Sequence, residues 1–257
     1  LGVAGGNEQS DVRGLAELLT GLGVSREGFV FRPRVAEPGI KTVLGQTYGS
    51  AKSARLSDIK AALADIAGRP ETARHLSTKL IRHFVGDPVP ADWAEALADA
   101  YLAEGGQLTA LYQALLDDPR AWAPGFAKVK PPFDYMVSAV RAAGFAPARL
   151  DSLNRRELRR AISAPLIEMG QPLFRPDGPD GWPEAPDAWI TPATLAARLR
   201  WAAAFAEAEL VEADPRAFLD TALGDAASEH LRFAVAGEER RSEGAALVLA
   251  SPEFMRR

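Results

Sequence analysis

TPATLAARLRWAAAFAEAEL, residues 191–210, is the longest amphipathic run in the chain, and it predicts one long helix. Thr191 stands where a helix N-cap is expected, because its hydroxyl can accept a hydrogen bond from an unpaired backbone N–H. Pro192 follows at the first helical position, where its missing N–H group costs nothing. Because helix-forming residues also dominate the rest of the chain, this stretch sets the expectation for the whole fold.

Apolar residues recur at three- and four-residue spacing along most of the remaining chain, which predicts further helices. The apolar face predicted for the helix that begins at Pro70 comprises Ala73, Leu76, Leu80 and Phe84. The segments that carry the pattern are 10–21, 56–68, 70–86, 91–106, 107–119, 131–144, 151–164, 191–210, 214–223, 225–236 and 239–250.

The β-forming residues are confined to GFVFRPRV (28–35) and IKTVLG (40–45). The intervening AEPG supplies turn residues, so the two segments predict a short isolated hairpin. The predicted fold class is therefore mainly α, an irregular multi-helix array with one short β-hairpin near residues 28–45. We expect a flexible segment at residues 1–9 and a single helical domain at 10–257.

Composition narrows the class of protein. The 257 residues carry a net charge of −4, whereas a protein that binds a phosphate backbone is usually basic, so nucleic acid is not an expected partner. The absence of cysteine excludes disulfides, thiolate metal sites and a cysteine nucleophile. No run approaches the roughly 18 apolar residues that a membrane helix needs. The opening LGVAGGNEQSD resembles no targeting segment, and its start at Leu1 suggests a fragment of a longer protein.

Histidine, serine and glycine patterns give little support for catalysis. His75 and His83 lie about 12 Å apart along one helix, too far to share a zinc ion, and Lys79 stands between them. The three residues form either a strip that faces an anion or an ordinary solvated helix face, and the solvated face is preferred. The sequence contains no Gly-x-Ser-x-Gly turn and no glycine-rich phosphate loop. No cofactor and no metal site are therefore predicted.

Two basic segments remain open to more than one interpretation. In KVKPPFDY (128–135), Lys130 either contacts an anion or carbonyl group beside Asp134, or belongs to a helix start fixed by two prolines. The stretch RLDSLNRRELRR (149–160) presents arginines at i,i+4 spacing. That cationic face could contact nucleic acid or lipid. The preferred interpretation is that it pairs with acidic helices or docks on a missing N-terminal half of the same protein.

The most unusual segment is a proline-rich stretch at residues 170–191, which we call the tryptophan loop. Its two tryptophans are Trp182 and Trp189, and carboxylates surround them at Asp177, Asp180, Glu184 and Asp187. Its stiffness follows from Pro172, Pro176, Pro179, Pro183 and Pro186, with Pro192 just beyond. Indole rings beside carboxylates suit carbohydrate binding, but buried tryptophans would equally make the loop a structural clamp. We prefer the clamp, with its exposed rim as the best candidate for a site.

Four segments together resemble a bacterial family known as domain of unknown function 1800. They are FVFRPRVAEPGIKTVLGQTYG (29–49), ETARHLSTKLIRHFV (71–85), KVKPPFDYMVSAVRAAG (128–144) and GQPLFRPDGPDGWPEAPDAWITPATLAARLRWA (170–202), and LASPEFMRR closes the chain in the family's manner. The resemblance implies the C-terminal half of a longer protein, with no established reaction, and it favours an exported or periplasmic location. The family usually carries a His-Asp pair where this sequence has Ala36 and Glu37.

Two classes of function remain. The preferred one is a non-catalytic binding or accessory domain that acts with an exported partner protein or a carbohydrate polymer, since no catalytic constellation is recognisable. The alternative is a hydrolase-like enzyme that uses loop carboxylates as general acid and base. The predicted binding residues are Gln171, Asp177, Trp182, Asp187, Trp189, Lys41 and Lys130.

Overall fold

Helices account for most of the protein in a computed structural model that describes residues 5–123, 127–146, 148–178 and 180–257. The predicted mainly α class is confirmed. In chain order the helices are α1 (Gln9–Leu18), α2 (Leu56–Ala67), α3 (Pro70–Phe84), α4 (Ala91–Ala103), α5 (Leu108–Asp117), α6 (Pro132–Ala142), α7 (Ala148–Asp151), α8 (Arg155–Leu158), α9 (Ala164–Glu168), α10 (Pro192–Glu209), α11 (Pro215–Leu223), α12 (Glu229–Gly237), α13 (Arg241–Ala250) and α14 (Pro252–Met255). Of the segment 1–9 that was predicted to be flexible, residues 1–4 lie outside the described residues.

Two of the four described strands lie in the region where a hairpin was predicted, and both pair with strands that lie outside it. Segments 28–35 and 40–45 each contain a strand, and the two strands do not pair with each other. The two antiparallel hairpins consist of β1 (Leu22–Ser25) with β2 (Gly28–Phe31) and β3 (Gly39–Val43) with β4 (Gln46–Ser50). Pro33 and Pro38 interrupt the connection between β2 and β3, and a proline cannot donate to a ladder. Each strand therefore pairs with its nearer neighbour across a two-residue turn.

The turn of the second hairpin is conformationally unusual. Leu44 and Gly45 form it, and both have positive φ angles, 51° and 80°. This matches the primed turn that suits the twist of a hairpin, but leucine is a poor residue for it. The backbone N–H of Leu44 donates to Asp11 Oδ1 at 2.7 Å, which ties the turn to α1. A tertiary hydrogen bond therefore supports a strained backbone position.

The chain divides into two compact units, each of which we describe separately. The first comprises Leu1–Phe84 and Pro88–Ala123, and the second comprises Val85–Asp87 and Pro124–Arg257. In the first unit α3 packs on α4, and α4 packs on α5. The single helical domain expected at residues 10–257 stays a prediction.

The buried face of α3 differs from the predicted one. Ala73 is buried as expected, but Ser77 and Ile81 complete the buried stripe, and Phe84 is 67% exposed. The hydroxyl of Ser77 donates to the carbonyl of Ala73 at 2.8 Å, so this small polar side chain is satisfied inside the helix packing. Hydrophobic spacing alone does not identify a serine whose hydrogen bond is internal to its own helix.

The core of the second unit forms around α10 and α13, which pack against each other. Tyr135 of α6 and Phe254 of α14 join this core, and both are fully buried. The predicted cap of α10 is present, since Thr191 Oγ1 accepts from the N–H of Thr194 at 3.2 Å. The predicted helix at 151–164 is interrupted: Asn154 caps α8, and a π-helical turn, Arg159–Ser163, separates α8 from α9.

We expect Leu44→Asn to be more stable than Leu44→Ala by about 1 kcal/mol, because asparagine tolerates the left-handed backbone that penalises alanine. Both variants remove the leucine side chain, so the difference between their stabilities reports mainly the cost of the left-handed backbone at residue 44. Urea unfolding of the two variants measures it. Equal unfolding midpoints would show that the turn is not strained.

Candidate functional site

Trp189 anchors the tryptophan loop in the second unit, where its side chain is 2% exposed. Its indole Nε1 donates to the backbone carbonyl of Pro183 at 3.0 Å, and its own carbonyl accepts from Thr194 Oγ1 at 3.0 Å. Trp182 lies beside it, with 6.1 Å between ring centroids and 57° between ring planes. The structure thus brings the two predicted tryptophans together, but only Trp182 is partly exposed.

Two further contacts hold the loop to residues 128–133. Lys128 is buried and forms an ion pair with Glu184. The side chain of Gln171 is also buried, and its Oε1 accepts from the backbone N–H of Phe133, in the first turn of α6, at 2.7 Å. Gln171 was predicted to bind a ligand; here its carbonyl oxygen satisfies a helix terminus. Among the prolines from which loop stiffness was predicted, Pro179 lies outside the described residues.

The outer surface of the loop exposes both apolar and acidic side chains. Phe174 is 93% exposed and has a φ angle of 56°, a left-handed conformation that is rare for a bulky residue. Asp177, Asp180 and Asp187 are exposed, and within the described residues they form no ion pair. These three carboxylates therefore face solvent, whereas the fourth predicted one, Glu184, is paired with Lys128.

Residues 128–130 form a short extended segment between the loop and the C-terminal tail. Val129 and Arg256 form an isolated antiparallel bridge. The N–H of Lys130 donates to the carbonyl of Met255 at 2.9 Å, and Arg257 Nη1 pairs with Asp134 at 2.6 Å. The segment that resembles the family in KVKPPFDY is therefore fixed by the tail that closes the chain.

Arg198 lies beneath this segment and is the most unusual residue in the unit. It is 0% exposed, and its Nη2 donates to the backbone carbonyl of Lys130 at 2.8 Å. Its Nε and Nη1 have no hydrogen-bond partner in the described part of the chain. The guanidinium carbon lies 5.0 Å from the centroid of the Tyr135 ring. Burial lowers the pKa of Arg198 to about 10, so the group stays charged at neutral pH.

Lys130 is a second desolvated cation in the same region. Its Nζ lies 4.2 Å from the centroid of the Phe254 ring, which attracts the charge. The rings of Phe254 and Tyr135 are 5.8 Å apart. Burial lowers the pKa of Lys130 to about 8, with Asp134 opposing the shift and Arg257 adding to it. Lys130 therefore titrates close to neutral pH.

The remaining predicted residues lie elsewhere. Lys41 belongs to the first unit, where its Nζ pairs with Glu17 at 3.1 Å and donates to the carbonyl of Pro38 at 3.0 Å. His75 is half-buried, and burial, followed by the nearby positive charges that include Lys79, lowers its pKa. A lowered pKa favours the uncharged form of His75, which weakens the interpretation of that helix face as an anion strip.

The arginines of α8 and the π-helical turn are exposed. Within the described residues they form no ion pair, so the predicted pairing with acidic helices is absent there. They are Arg155, Arg156, Arg159 and Arg160.

The described residues offer neither a metal site nor a membrane helix, and a shallow cleft among them lies away from the predicted site residues. No group of three or more potential metal-ligating side chains occurs within residues 5–123, 127–146, 148–178 and 180–257. Over the same ranges no helix has both the length and the apolar character to span a bilayer. A shallow cleft of about 200 Å³ lies beside Pro215, Val235 and Arg241 in the second unit, and no predicted site residue lines it.

Sequence reasoning missed Arg198, Phe174 and the Lys128–Glu184 pair. A signal for Arg198 exists, because it occupies the same helical stripe as the buried Ala202 and the core-packed Leu195 and Phe205. A charged residue within an apolar stripe is either paired or functional. Phe174 and the Lys128–Glu184 pair have no comparable signal, since a left-handed backbone and an ion pair are not visible in residue spacing.

The comparison with known families gives one result. The family model described as "Protein of unknown function (DUF1800)" matches residues 1–256. The chain belongs to this family. The match takes in essentially the whole chain, which differs slightly from the expectation that the chain resembles only the family's C-terminal half. No curated protein and no solved structure matches the chain.

We expect Gln171→Leu to lower the free energy of unfolding by about 1 kcal/mol, because it leaves the N–H of Phe133 in the first turn of α6 without its side-chain acceptor. Leucine keeps most of the side-chain volume, so packing changes little. Gln113→Leu, at an exposed site, is the control. If urea unfolding shows equal losses for the two variants, Gln171 does not have this role.

We also expect a pH dependence that belongs to Lys130. Between about pH 8 and 10.5 the unfolded chain holds a proton on this lysine that the folded chain has released, so raising the pH stabilises the folded state. Lys130→Met removes this rise, whereas Lys79→Met, at an exposed position, retains it. Urea unfolding midpoints measured between about pH 8 and 10.5 test whether stability rises with pH. Parallel curves for wild type and Lys130→Met would refute it.

Proposed function

We propose that this DUF1800 protein is a non-catalytic binding domain and that its ligand contacts the exposed rim of the tryptophan loop. The observation that carries the proposal is Phe174, which is 93% exposed in a left-handed backbone conformation. Such a conformation costs about 1–2 kcal/mol, and water exposure of the ring gives nothing in return. A bulky aromatic residue held in this way is typical of a contact surface.

The construction of the loop supports the same interpretation. Trp189 is buried and hydrogen-bonded, and it supports Trp182, whose ring is partly exposed. Glu184, which lies between Trp182 and Trp189 in the sequence, forms an ion pair with Lys128. This pair ties the loop to the segment at residues 128–130. A surface that is already ordered loses little conformational entropy when a ligand binds. The loop can therefore act as both a structural clamp and a binding edge.

The chemistry of the rim favours a carbohydrate as the ligand. Aromatic faces stack on the C–H groups of sugar rings, and exposed carboxylates accept hydrogen bonds from hydroxyls. Asp177 and Asp187 provide such acceptors beside Trp182 in the sequence. Their exposure supports binding more than acid–base catalysis, which usually relies on partly buried groups. An exported carbohydrate polymer, or a partner protein that carries one, is the proposed ligand.

The test is a titration of the protein with neutral oligosaccharides, followed by tryptophan emission and thermal unfolding. A ligand at one hundred times its dissociation constant adds ~2.7 kcal/mol to the stability. Trp182→Ala and Phe174→Ala are each expected to weaken binding about tenfold through loss of ring contact. Asp177→Asn and Asp187→Asn are expected to weaken binding without abolishing it.

Phe233→Ala is the matched control, because Phe233 is an 80% exposed phenylalanine of α12 in the same unit and lies outside the loop. It should bind as tightly as the wild type. Equal weakening by Phe233→Ala and Phe174→Ala, or no binding by any oligosaccharide, would remove the loop as the binding surface. Turnover of a glycoside that Asp177→Asn abolishes would restore the hydrolase alternative.

A further inference from the structure

Arg198 carries hydrogen-bonding capacity that the fold does not use. Its guanidinium group has five N–H groups and is fully buried, yet the described residues supply one acceptor, the backbone carbonyl of Lys130 at 2.8 Å. Buried polar groups in folded proteins almost always have partners, and an exception calls for a missing water, ion or ligand. A buried charge makes this requirement stronger than for a neutral group.

The unused donors have a defined geometry. Nη2 carries two N–H groups, one on the edge that it shares with Nε and one on the edge that it shares with Nη1. Since a single carbonyl occupies Nη2, and Nε and Nη1 are both unpartnered, one complete edge with two parallel donors remains. Two parallel N–H groups match the two oxygens of a carboxylate, phosphate or sulfate group.

The surroundings of the guanidinium also favour an anion. The ring of Tyr135 lies against it, and Tyr135 in turn packs edge-on against Phe254, whose face carries the ammonium group of Lys130. Asp134, the acid of segment 128–135, pairs with Arg257, and Arg198 has no carboxylate partner among the described residues. The described part of the second unit therefore places two cations on one aromatic cluster and supplies no counter-ion to Arg198.

We propose that Arg198 is an anion-binding residue whose free edge receives an oxyanion in a bidentate manner, with Lys130 adding positive potential. This site is distinct from the exposed rim of the tryptophan loop, and it would take the acidic group of a small molecule or of a modified polymer. Because the guanidinium is closed off in this structure, the anion enters when residues 128–130 separate locally from α10.

The first experiment measures thermal unfolding of the protein in inorganic phosphate, sulfate and acetate, each against chloride at equal ionic strength. Phosphate and sulfate stabilise most proteins without binding them, so the difference between variants is the decisive quantity. The wild-type melting temperature is expected to rise with the logarithm of the concentration of at least one oxyanion. A larger shift with phosphate or sulfate would indicate a tetrahedral ligand group, and a larger shift with acetate would indicate a carboxylate.

Three variants make the test specific. Arg198→Met removes the charge at similar length, so it is expected to fold without an anion and to lose the anion-dependent shift. Arg198→Lys keeps the charge but loses the two-donor edge, and its affinity is expected to fall roughly 10- to 100-fold. Arg200→Met is the matched control on the same helix. Arg200 is exposed, and its Nη2 lies 3.9 Å from Oε2 of Glu168 in a surface ion pair. It should respond as the wild type does.

The second experiment locates the anion. A crystal structure grown with selenate, which scatters anomalously and mimics sulfate, should show its peak about 4 Å from the guanidinium carbon. One oxygen should lie roughly 2.7–2.9 Å from Nη2, and another should lie at the same distance from the Nε or Nη1 atom that shares the free edge. Water molecules alone along this edge would overturn the proposal. So would an anion response in Arg198→Met that equals the wild-type response, or a wild type that responds to oxyanions no more than to chloride.

Discussion

A hydrogen bond between a buried guanidinium and a backbone carbonyl links the parts of the second unit that matter most. Arg198 of α10 donates to the carbonyl of Lys130, and the N–H of Lys130 donates to the tail at Met255. Lys128, two residues before Lys130, is paired with Glu184 of the tryptophan loop. The long helix, the segment before α6, the tail and the loop are thereby connected through three consecutive residues. A change at Arg198 would consequently be felt in all four.

This arrangement explains which features could be predicted from the sequence. Helices follow from apolar spacing and from local caps such as Thr191, so most of them were predicted correctly. Strand pairing was not predicted correctly. The pairing of β3 with β4 depends on a turn that holds Leu44 at a positive φ angle, and leucine is rarely found in such turns. Spacing also failed on α3, where Ser77 is buried through a hydrogen bond to its own helix.

The candidate site was predicted in part, for a related reason. Tryptophans and prolines are conspicuous in a sequence, so the loop could be singled out, but the contact between Trp182 and Trp189 was not predicted. The role of Gln171 could not be anticipated, because its Oε1 accepts a hydrogen bond from the N–H of Phe133, which lies 38 residues away in the sequence. The same holds for the partners of Lys128 and Arg198. Long-range polar contacts depend on the assembled fold, whereas apolar periodicity is a local property.

Three features of the second unit each lower its stability, and side-chain packing gives no reason for their presence. Phe174 holds a strained backbone in water, Lys130 loses solvation, and Arg198 is buried with two unpartnered nitrogens. Replacing buried charges by apolar residues of similar size is often neutral or stabilising for a fold. Local departures from the rules of stability are expected where a protein performs its function. Because the loop and the segment at 128–130 are joined by the Lys128–Glu184 pair, a ligand that moves one of them must also act on the other.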